Sequence, residues 1–185
     1  MRKNLGAKTA VYPMPVFIIG TYNEDGTPNA MNAAWGGISE EKEISICVSD
    51  DHKTTENFLK TKAFTVSVAT AKYVKECDYV GLVSGNNVKN KLEKCGFNTI
   101  KSEFVNAPII EELPFALECI VKSYDANSCR LVGEIINISA DETVLTNGKV
   151  DVSKLCPITY DSFSHQYYVL GNPVGNAFSD GKIFI

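Results

Sequence analysis

A cluster of hydroxyl, amide and basic side chains follows Asp50, where the sequence predicts the start of a helix. Lys53, Thr54 and Thr55 together offer a cation, two hydroxyls and backbone N–H groups. A phosphate group needs these three kinds of partner, and the positive end of the helix dipole lies at the same point. The alternative is that Thr54 or Thr55 simply caps the helix. The cluster therefore predicts an anion site, a capped helix start, or both.

Other polar residues near this point also allow two interpretations. Asn57 lies about one turn into the helix, where it either reaches a bound ligand or faces solvent. Lys89 and Lys91 are candidate partners for a phosphate, although a lysine on a short helix is usually solvated. His52 directly precedes Lys53 and is expected near this predicted anion site. It and His165 are the only two histidines, and two isolated histidines predict no metal site.

A hairpin is predicted over residues 15 to 37, and its two halves differ in kind. Residues 15 to 22 are rich in β-branched and aromatic side chains, which is typical of a strand buried on both faces. Asp25-Gly26 supplies the turn, because Gly adopts the positive φ that a tight hairpin turn requires. The second half is small and polar until Trp35, and small side chains let a flat group approach the backbone. A weakly packed edge strand is the alternative.

The remaining pattern predicts short strands separated by turns, with helices in the middle of the chain. Strands are predicted at Glu43 to Ser49, Ala63 to Ala69, Ile100 to Val105, Phe115 to Val121, Leu131 to Ile138 and Gln166 to Leu170. Residues 72 to 96 predict two short helices, the second closed by Gly96. The Gly-, Asn- and Pro-rich tail from Gly171 predicts no regular element. We therefore expect a mainly β (α+β) fold, an antiparallel barrel with a short helical excursion, in one domain over residues 1–185.

Composition excludes several classes of protein. The 185 residues carry a net charge of −4, so no basic field attracts nucleic acid or an anionic membrane. No apolar run approaches the ~20 residues that span a bilayer, and the basic N-terminus lacks the apolar stretch of a signal peptide. The six cysteines include no CxxC pair, which argues for reduced thiols and against an iron–sulfur or zinc site. We expect a cytoplasmic protein.

A set of short motifs runs from residue 29 to the end of the chain. They are Asn29-Ala30-Met31-Asn32-Ala33-Ala34-Trp35, Thr54-Thr55-x-Asn57, Ala63-Phe64-Thr65-Val66-Ser67, Val83-Ser84-Gly85, Lys91-Leu92, Ala107-Pro108-Ile109-Ile110, Leu117-Glu118-Cys119, Gly133-Glu134-Ile135, Tyr168-x-x-Gly171 and Gly181-Lys182. Together they resemble the flavin reductase-like, FMN-binding split-barrel proteins, the group that includes flavoredoxin. The resemblance implies a six-stranded antiparallel Greek-key split barrel that forms a homodimer, with FMN near the dimer interface.

The resemblance also gives the candidate residues their expected contacts with FMN. Those implied to carry the isoalloxazine ring are Asn29, Ala30, Met31, Asn32, Ala33, Ala34 and Trp35. Backbone N–H groups of this stretch can meet the polar edge of the ring without reorganisation. Trp35 either covers the ring or fills the barrel, and a lone aromatic is more often a core residue. Those implied to meet the phosphate or ribityl chain are His52, Lys53, Thr54, Thr55, Asn57, Lys89 and Lys91, with the last two also candidates for the reduced ring.

One motif of the family is missing from this chain. Many flavin reductases of the group carry Gly-Asp-His before the strand predicted from Leu131, with the histidine on the nicotinamide side of the site. Here Asn127-Ser128-Cys129 stands in that place. This favours an electron carrier of the flavoredoxin type, with a protein electron donor or acceptor. The alternatives are an NAD(P)H:flavin oxidoreductase that uses FMN as substrate or cofactor, and a non-redox split-barrel module that binds another planar ligand, such as haem, or none.

Overall fold

The computed structural model describes residues 1–185, which form thirteen strands and four α-helices. The strands are β1 (Phe17–Tyr22), β2 (Pro28–Ala33), β3 (Gly36–Glu40), β4 (Glu43–Cys47), β5 (Ala63–Val68), β6 (Thr99–Lys101), β7 (Pro108–Ile110), β8 (Phe115–Asp125), β9 (Arg130–Ala140), β10 (Leu145–Thr146), β11 (Lys149–Val150), β12 (Ile158–Asp161) and β13 (Gln166–Val169). The helices are α1 (Lys53–Thr61), α2 (Val74–Leu82), α3 (Lys91–Cys95) and α4 (Val152–Leu155). Seven strands form one curled antiparallel sheet in the order β2-β1-β5-β8-β9-β4-β3, and the others form the ribbons β6–β7, β10–β11 and β12–β13.

Two apolar cores lie on opposite faces of β1. Ile19 joins Phe58 of α1 and the inward side chains of β4, β5, β8 and β9. Ile18 faces the other way and packs with side chains of α2 and α3, among them Val80 and Leu92. Successive side chains of a strand point to opposite faces, so a strand between two cores needs apolar residues throughout. The prediction that this strand is buried on both faces is confirmed.

The predicted mainly β split-barrel fold is confirmed, with seven strands in the main sheet where six were expected. The predicted second half of the hairpin, residues 27 to 37, forms two strands because the chain bends at Trp35. The Trp35 carbonyl accepts a hydrogen bond from the Cys47 N–H at 2.8 Å, which directs the chain toward β4. Gly36 permits the close approach that follows, since a Cβ there would lie 2.8 Å from the Ser45 carbonyl oxygen. The small-residue run is therefore an edge strand followed by a corner.

Predictions after residue 97 are less accurate. A strand was predicted over residues 100 to 105, but the observed strand, β6, ends at Lys101. The Ser102 hydroxyl accepts hydrogen bonds from the N–H groups of Phe104 and Val105, at 3.0 and 2.9 Å, and this turns the chain. The prediction also omitted β7, β10, β11, β12 and α4. Elements of two to four residues are too short to show a hydrophobic period.

The helices place three chain segments side by side. Helices α1, α2 and α3 all pack against β2. Gly96 closes α3 as predicted, with a φ of +81°. Helix α1 begins after His52, whose side chain makes no capping hydrogen bond, so the alternative that Thr54 or Thr55 caps this helix is wrong. No helix is both long enough and apolar enough to cross a membrane. The start of α1 and the end of α2 thus meet beside β2.

Candidate functional site

Three adjoining cavities form a groove along β2, which we call the β2 groove. The central cavity, of about 240 Å³, lies between β2, the start of α1 and the end of α2. It shares Lys53 and Gly85 with a cavity of about 390 Å³ that has no apolar lining residue, the polar end. It shares Asn32 and Leu82 with a third cavity, of about 340 Å³. We call this third cavity the aromatic end, because Tyr160 and Tyr167 line it. Because β2 is an outermost strand, half of its backbone groups have no strand partner.

The start of α1 presents hydrogen-bond donors to the central cavity. The backbone N–H groups of Lys53 and Thr54 have no acceptor within the protein, as expected in the first turn of a helix. The buried Thr54 hydroxyl accepts a hydrogen bond from the Asn29 amide at 3.0 Å, so its own proton remains available. Lys53 and Thr54 both line the cavity. Two N–H groups and a hydroxyl therefore converge where the helix dipole favours an anion.

Thr55 and Asn57 do not line the groove. The Thr55 hydroxyl donates to the Ser49 carbonyl at 2.6 Å. The Asn57 amide donates to Thr21 at 3.1 Å and to Asn23 at 2.9 Å, which uses both of its protons. Asn57 is buried, so the alternative of a solvated helix face is wrong. These two side chains fasten α1 to the neighbouring loops and thereby position the donors of its first turn.

A buried acceptor without a partner lies beside the loop that follows α2. The side-chain oxygen of Asn29 is buried, and no protein group donates to it. Gly85 approaches this oxygen so closely that a Cβ at position 85 would overlap it, and Gly85 lines both the central cavity and the polar end. A buried carbonyl left unpaired costs about 1–3 kcal/mol. A hydroxyl of a bound ligand would offset this cost.

Lys91 is the buried cation of the central cavity. It is 2% exposed, and its ammonium donates to the carbonyl oxygens of Val80 and Val83, both at 3.0 Å. An ammonium has three protons, so one donor remains. Burial lowers the pKa of Lys91 to about 8, and no carboxylate forms an ion pair with it. The usual solvated lysine is therefore the wrong interpretation for Lys91, and its missing counter-ion favours an anionic ligand.

The other basic candidates are less buried and face the same groove. The His52 ring lies 3.8 Å from Asp51, and the Lys53 ammonium lies 2.9 Å from Glu56. Lys89 is exposed and lines the polar end. Water screens charges in such positions, so each contributes less to binding an anion than a buried cation does.

The small residues of β2 and its corner divide between the groove and the two cores. Those that line the groove are Met31, Asn32 and Ala34, and those buried in the cores are Ala30 and Ala33. The Asn32 amide donates to the Cys77 carbonyl at 3.0 Å, which fixes β2 against α2. Trp35 is 55% exposed, so the expectation of a core tryptophan is wrong. Its position at the outer corner results from the bend between β2 and β3.

The aromatic end contains residues that the sequence analysis did not identify. Tyr160 and Tyr167 pack with ring centroids 5.8 Å apart, and the Tyr167 hydroxyl donates to the Asp78 carboxylate at 2.8 Å. Burial, together with that hydrogen bond, raises the pKa of Tyr167. His165 lies beside Tyr160, with 3.4 Å between its Nδ1 and the hydroxyl. Tyr167 and Asp78 are 89 positions apart, so no local spacing signals this cluster.

The fold agrees with comparisons to known proteins. The sequence matches the flavin reductase like domain over residues 9–162, and the chain belongs to that family, as its motifs predicted. The structure is similar to flavoredoxin of Desulfovibrio vulgaris (Miyazaki F), with a TM-score of 0.94 and 35% identity over 98% of this chain and 100% of that chain. It is also similar to flavoredoxin from Methanosarcina acetivorans, with a TM-score of 0.89 and 28% identity over 100% of each chain. The uncharacterized protein YdfE of Bacillus subtilis (strain 168) is 24% identical over 95% of this chain and 93% of that protein.

Proposed function

We propose that the protein is an FMN-binding flavoprotein that transfers electrons, in the manner its flavoredoxin relatives suggest. The observation that carries the proposal is the β2 groove, where an anion site, an unpaired buried acceptor and a low-bulk edge strand adjoin one another. These suit, in turn, a phosphate, a polyhydroxyl chain and a flat ring. Bound FMN supplies the redox chemistry, while the protein supplies binding and orientation.

We place the phosphate in the central cavity. The N–H groups of Lys53 and Thr54, the Thr54 hydroxyl and the Lys91 ammonium all belong to residues that line it. Each charge-assisted hydrogen bond contributes about 1.5–3 kcal/mol, and the low dielectric around a buried ammonium strengthens its share. The unpaired oxygen of Asn29 would accept from a ribityl hydroxyl. This assignment gives partners to the free donors of Lys53, Thr54 and Lys91 and to the unpaired oxygen of Asn29.

We place the ring along Met31, Asn32 and Ala34, toward the aromatic end. The outward backbone groups of β2 and its corner can meet the polar edge of the ring without side-chain movement. Small side chains there leave room for a flat group, and Tyr160 and Tyr167 offer aromatic surface on the far side of the cavity. Trp35 and Leu82 are exposed beside it, so the ring would lie close to the protein surface.

We expect two neighbouring substitutions to change different properties: Thr54→Ala should weaken FMN binding, and Thr55→Ala should lower stability. Thr54 faces the cavity, so Thr54→Ala should weaken FMN binding about 10- to 100-fold and riboflavin binding much less. Thr55 is bonded to Ser49, so Thr55→Ala should cost about 1 kcal/mol of unfolding free energy and leave FMN affinity nearly unchanged. Flavin fluorescence titrations and urea unfolding measure both. Equal losses of FMN and riboflavin in Thr54→Ala would place the phosphate elsewhere.

Reduction kinetics decide between the carrier and the NAD(P)H:flavin oxidoreductase, the second candidate. The exposure of Trp35 and Leu82 beside the proposed ring position favours the second candidate, because a ring close to the surface leaves a face open to a nicotinamide. The missing Gly-Asp-His favours the carrier, since hydride transfer requires the nicotinamide to be held against the ring. We expect slow reduction of the bound FMN by NADH or NADPH and fast reduction by dithionite or a protein donor. Anaerobic stopped-flow bleaching by NADH at roughly 10 s⁻¹ or faster would favour the oxidoreductase.

A further inference from the structure

A cavity of about 510 Å³ lies on the β12–β13 ribbon, outside the β2 groove. We call it the tyrosine cavity, and the residues that line it are Tyr12, Pro13, Thr159, Tyr160, Asp161 and Tyr168. Tyr168 pairs with Thr159 across the ribbon, whereas Tyr167, which lines the aromatic end, pairs with Tyr160. Because successive side chains of a strand point to opposite faces, Tyr167 and Tyr168 face different cavities. The volume of the tyrosine cavity lies within the range of small-molecule sites, about 300–1,000 Å³.

The chain segment that forms one wall of the tyrosine cavity is fastened to β12. The Met14 N–H donates to the Thr159 hydroxyl at 2.9 Å, and that hydroxyl donates to the Met14 carbonyl at 2.8 Å. The Tyr160 N–H donates to the same carbonyl at 2.9 Å. These bonds hold the segment that carries Tyr12 against the ribbon, so the cavity is formed before any ligand enters it.

Two tyrosine side chains offer uncovered ring surface to the tyrosine cavity. Tyr12 is 60% exposed and Tyr168 is 50% exposed. Both hydroxyls are occupied, since that of Tyr12 donates to Asp161 and that of Tyr168 donates to the side-chain oxygen of Gln166 at 2.6 Å. The two rings do not pack against each other, so neither covers the other. The face of a tyrosine ring is electrostatically negative and attracts a cation.

Asp161 adds a negative charge to the same cavity. Its carboxylate accepts hydrogen bonds from the hydroxyls of Ser164 and Tyr12 and from the Phe163 N–H. These bonds lower the pKa of Asp161 to about 2, so the group is ionised at neutral pH. All three donors are neutral, and no basic side chain forms an ion pair with Asp161. The charge therefore has a fixed position and no counter-ion within the chain.

We propose that the tyrosine cavity binds a small organic cation whose nitrogen carries alkyl groups, such as a quaternary ammonium ion. Aromatic rings beside a carboxylate attract such a cation without requiring N–H donors from it. A primary ammonium would need free acceptors, and three of the roughly four acceptor positions of the Asp161 carboxylate are already used. The ring surface and the charge thus favour an alkylated nitrogen. This site requires no bound flavin and goes beyond the proposed function.

The test compares choline with its neutral analogue 3,3-dimethylbutan-1-ol, in which carbon replaces the charged nitrogen. Titration calorimetry of the flavin-free protein should give choline a Kd of roughly 1 mM or lower, and the neutral analogue should bind about 10-fold more weakly. Ethanolamine, which keeps the charge but lacks the methyl groups, should also bind about 10-fold more weakly. No detectable binding of choline, or equal affinity for choline and either analogue, would overturn the proposal.

Variants of Tyr168 assign the binding to this cavity, because Tyr168 lines it and does not line the β2 groove. Tyr168→Leu should weaken choline binding about 10-fold, whereas Tyr168→Phe keeps the ring and should bind choline like the natural chain. Asp161→Asn, which removes the charge, should act like Tyr168→Leu. The matched control is Phe163→Leu, at an exposed ring of the same turn that does not line the cavity, and it should leave choline affinity unchanged.

Far-ultraviolet circular dichroism checks that each of these variants is folded. If folded Tyr168→Leu binds choline as tightly as the natural chain does, the cation does not bind in the tyrosine cavity and the proposal is wrong.

Discussion

Replacing Lys91 with methionine is expected to weaken FMN binding by roughly 100-fold or more while leaving riboflavin binding nearly unchanged. The two ligands differ only in the phosphate, and Lys91 is the buried cation of the cavity in which we place it. Methionine resembles the aliphatic part of the lysine side chain in length and apolar character, so we expect the packing of α3 to be preserved. Parallel fluorescence titrations with both flavins measure the difference.

Lys89→Met is the matched control for this substitution. Lys89 is two positions away but exposed, so removing its charge should change FMN affinity by less than about 3-fold. In Lys91→Met, the carbonyls of Val80 and Val83 lose a donor, which costs stability, but the protein no longer buries a charge. We expect the free energy of unfolding to change by about 1 kcal/mol at pH 7, since these effects oppose each other. Equal losses of both flavins in Lys91→Met would show that Lys91 does not contact the phosphate.

The pH dependence of Lys91 gives a second, independent signature. Its folded-state pKa is about 8 and its ordinary value is 10.5, so between these values the unfolded chain binds more protons. The free energy of unfolding of the flavin-free protein, taken relative to that of Lys91→Met, should therefore rise as the pH increases from about 8 to about 10.5. The comparison cancels the opposite trend of Cys77 and Cys119, since burial raises the pKa of each of these thiols to about 12. The proposed contact with the phosphate requires the charged ammonium, so we expect FMN affinity to fall over the same range. The fall in FMN affinity should be absent from Lys91→Met.

Ala34→Phe is expected to abolish flavin binding while the barrel stays folded. Ala34 lines the aromatic end of the groove, where a phenyl ring would occupy the space proposed for the isoalloxazine ring. The position lies outside both apolar cores, so the larger side chain should not disturb their packing. Absorbance of co-purified flavin and far-ultraviolet circular dichroism measure the two properties. Normal FMN binding by this variant would mean that the ring does not lie along β2.

The neighbouring substitution Ala33→Phe should behave differently. Ala33 is buried in the core with Ile19 and Phe58, so a phenyl ring there overpacks the barrel. We expect a loss of about 1–3 kcal/mol of unfolding free energy, and any loss of flavin would follow from this instability. Ala34→Ser is the conservative control, because it adds little bulk and should retain the flavin. Thermal unfolding separates these cases.

Much of the fold could be predicted because it depends on local patterns. The β-branched run of β1 and the alternation in β4 and β5 indicate strands, and Gly96 marks a helix end through its backbone freedom. The hydroxyl-rich segment after Asp50 was correctly expected to start a helix. Pieces such as α4 and β12 could not be predicted, since an element of four residues is too short to show a hydrophobic period.

The sequence by itself determined the family and the mainly β architecture, because these depend on residue types and on spacing along one strand or helix. Only the tertiary structure decided which member of each pair of neighbours faces the groove. Thr54 lines it and Thr55 does not; Lys91 is buried and Lys89 is exposed. The tertiary structure also decided that Trp35 is exposed and that the Tyr167 hydroxyl donates a hydrogen bond to Asp78. Burial depends on the elements that pack over a side chain, and here those elements come from distant parts of the sequence.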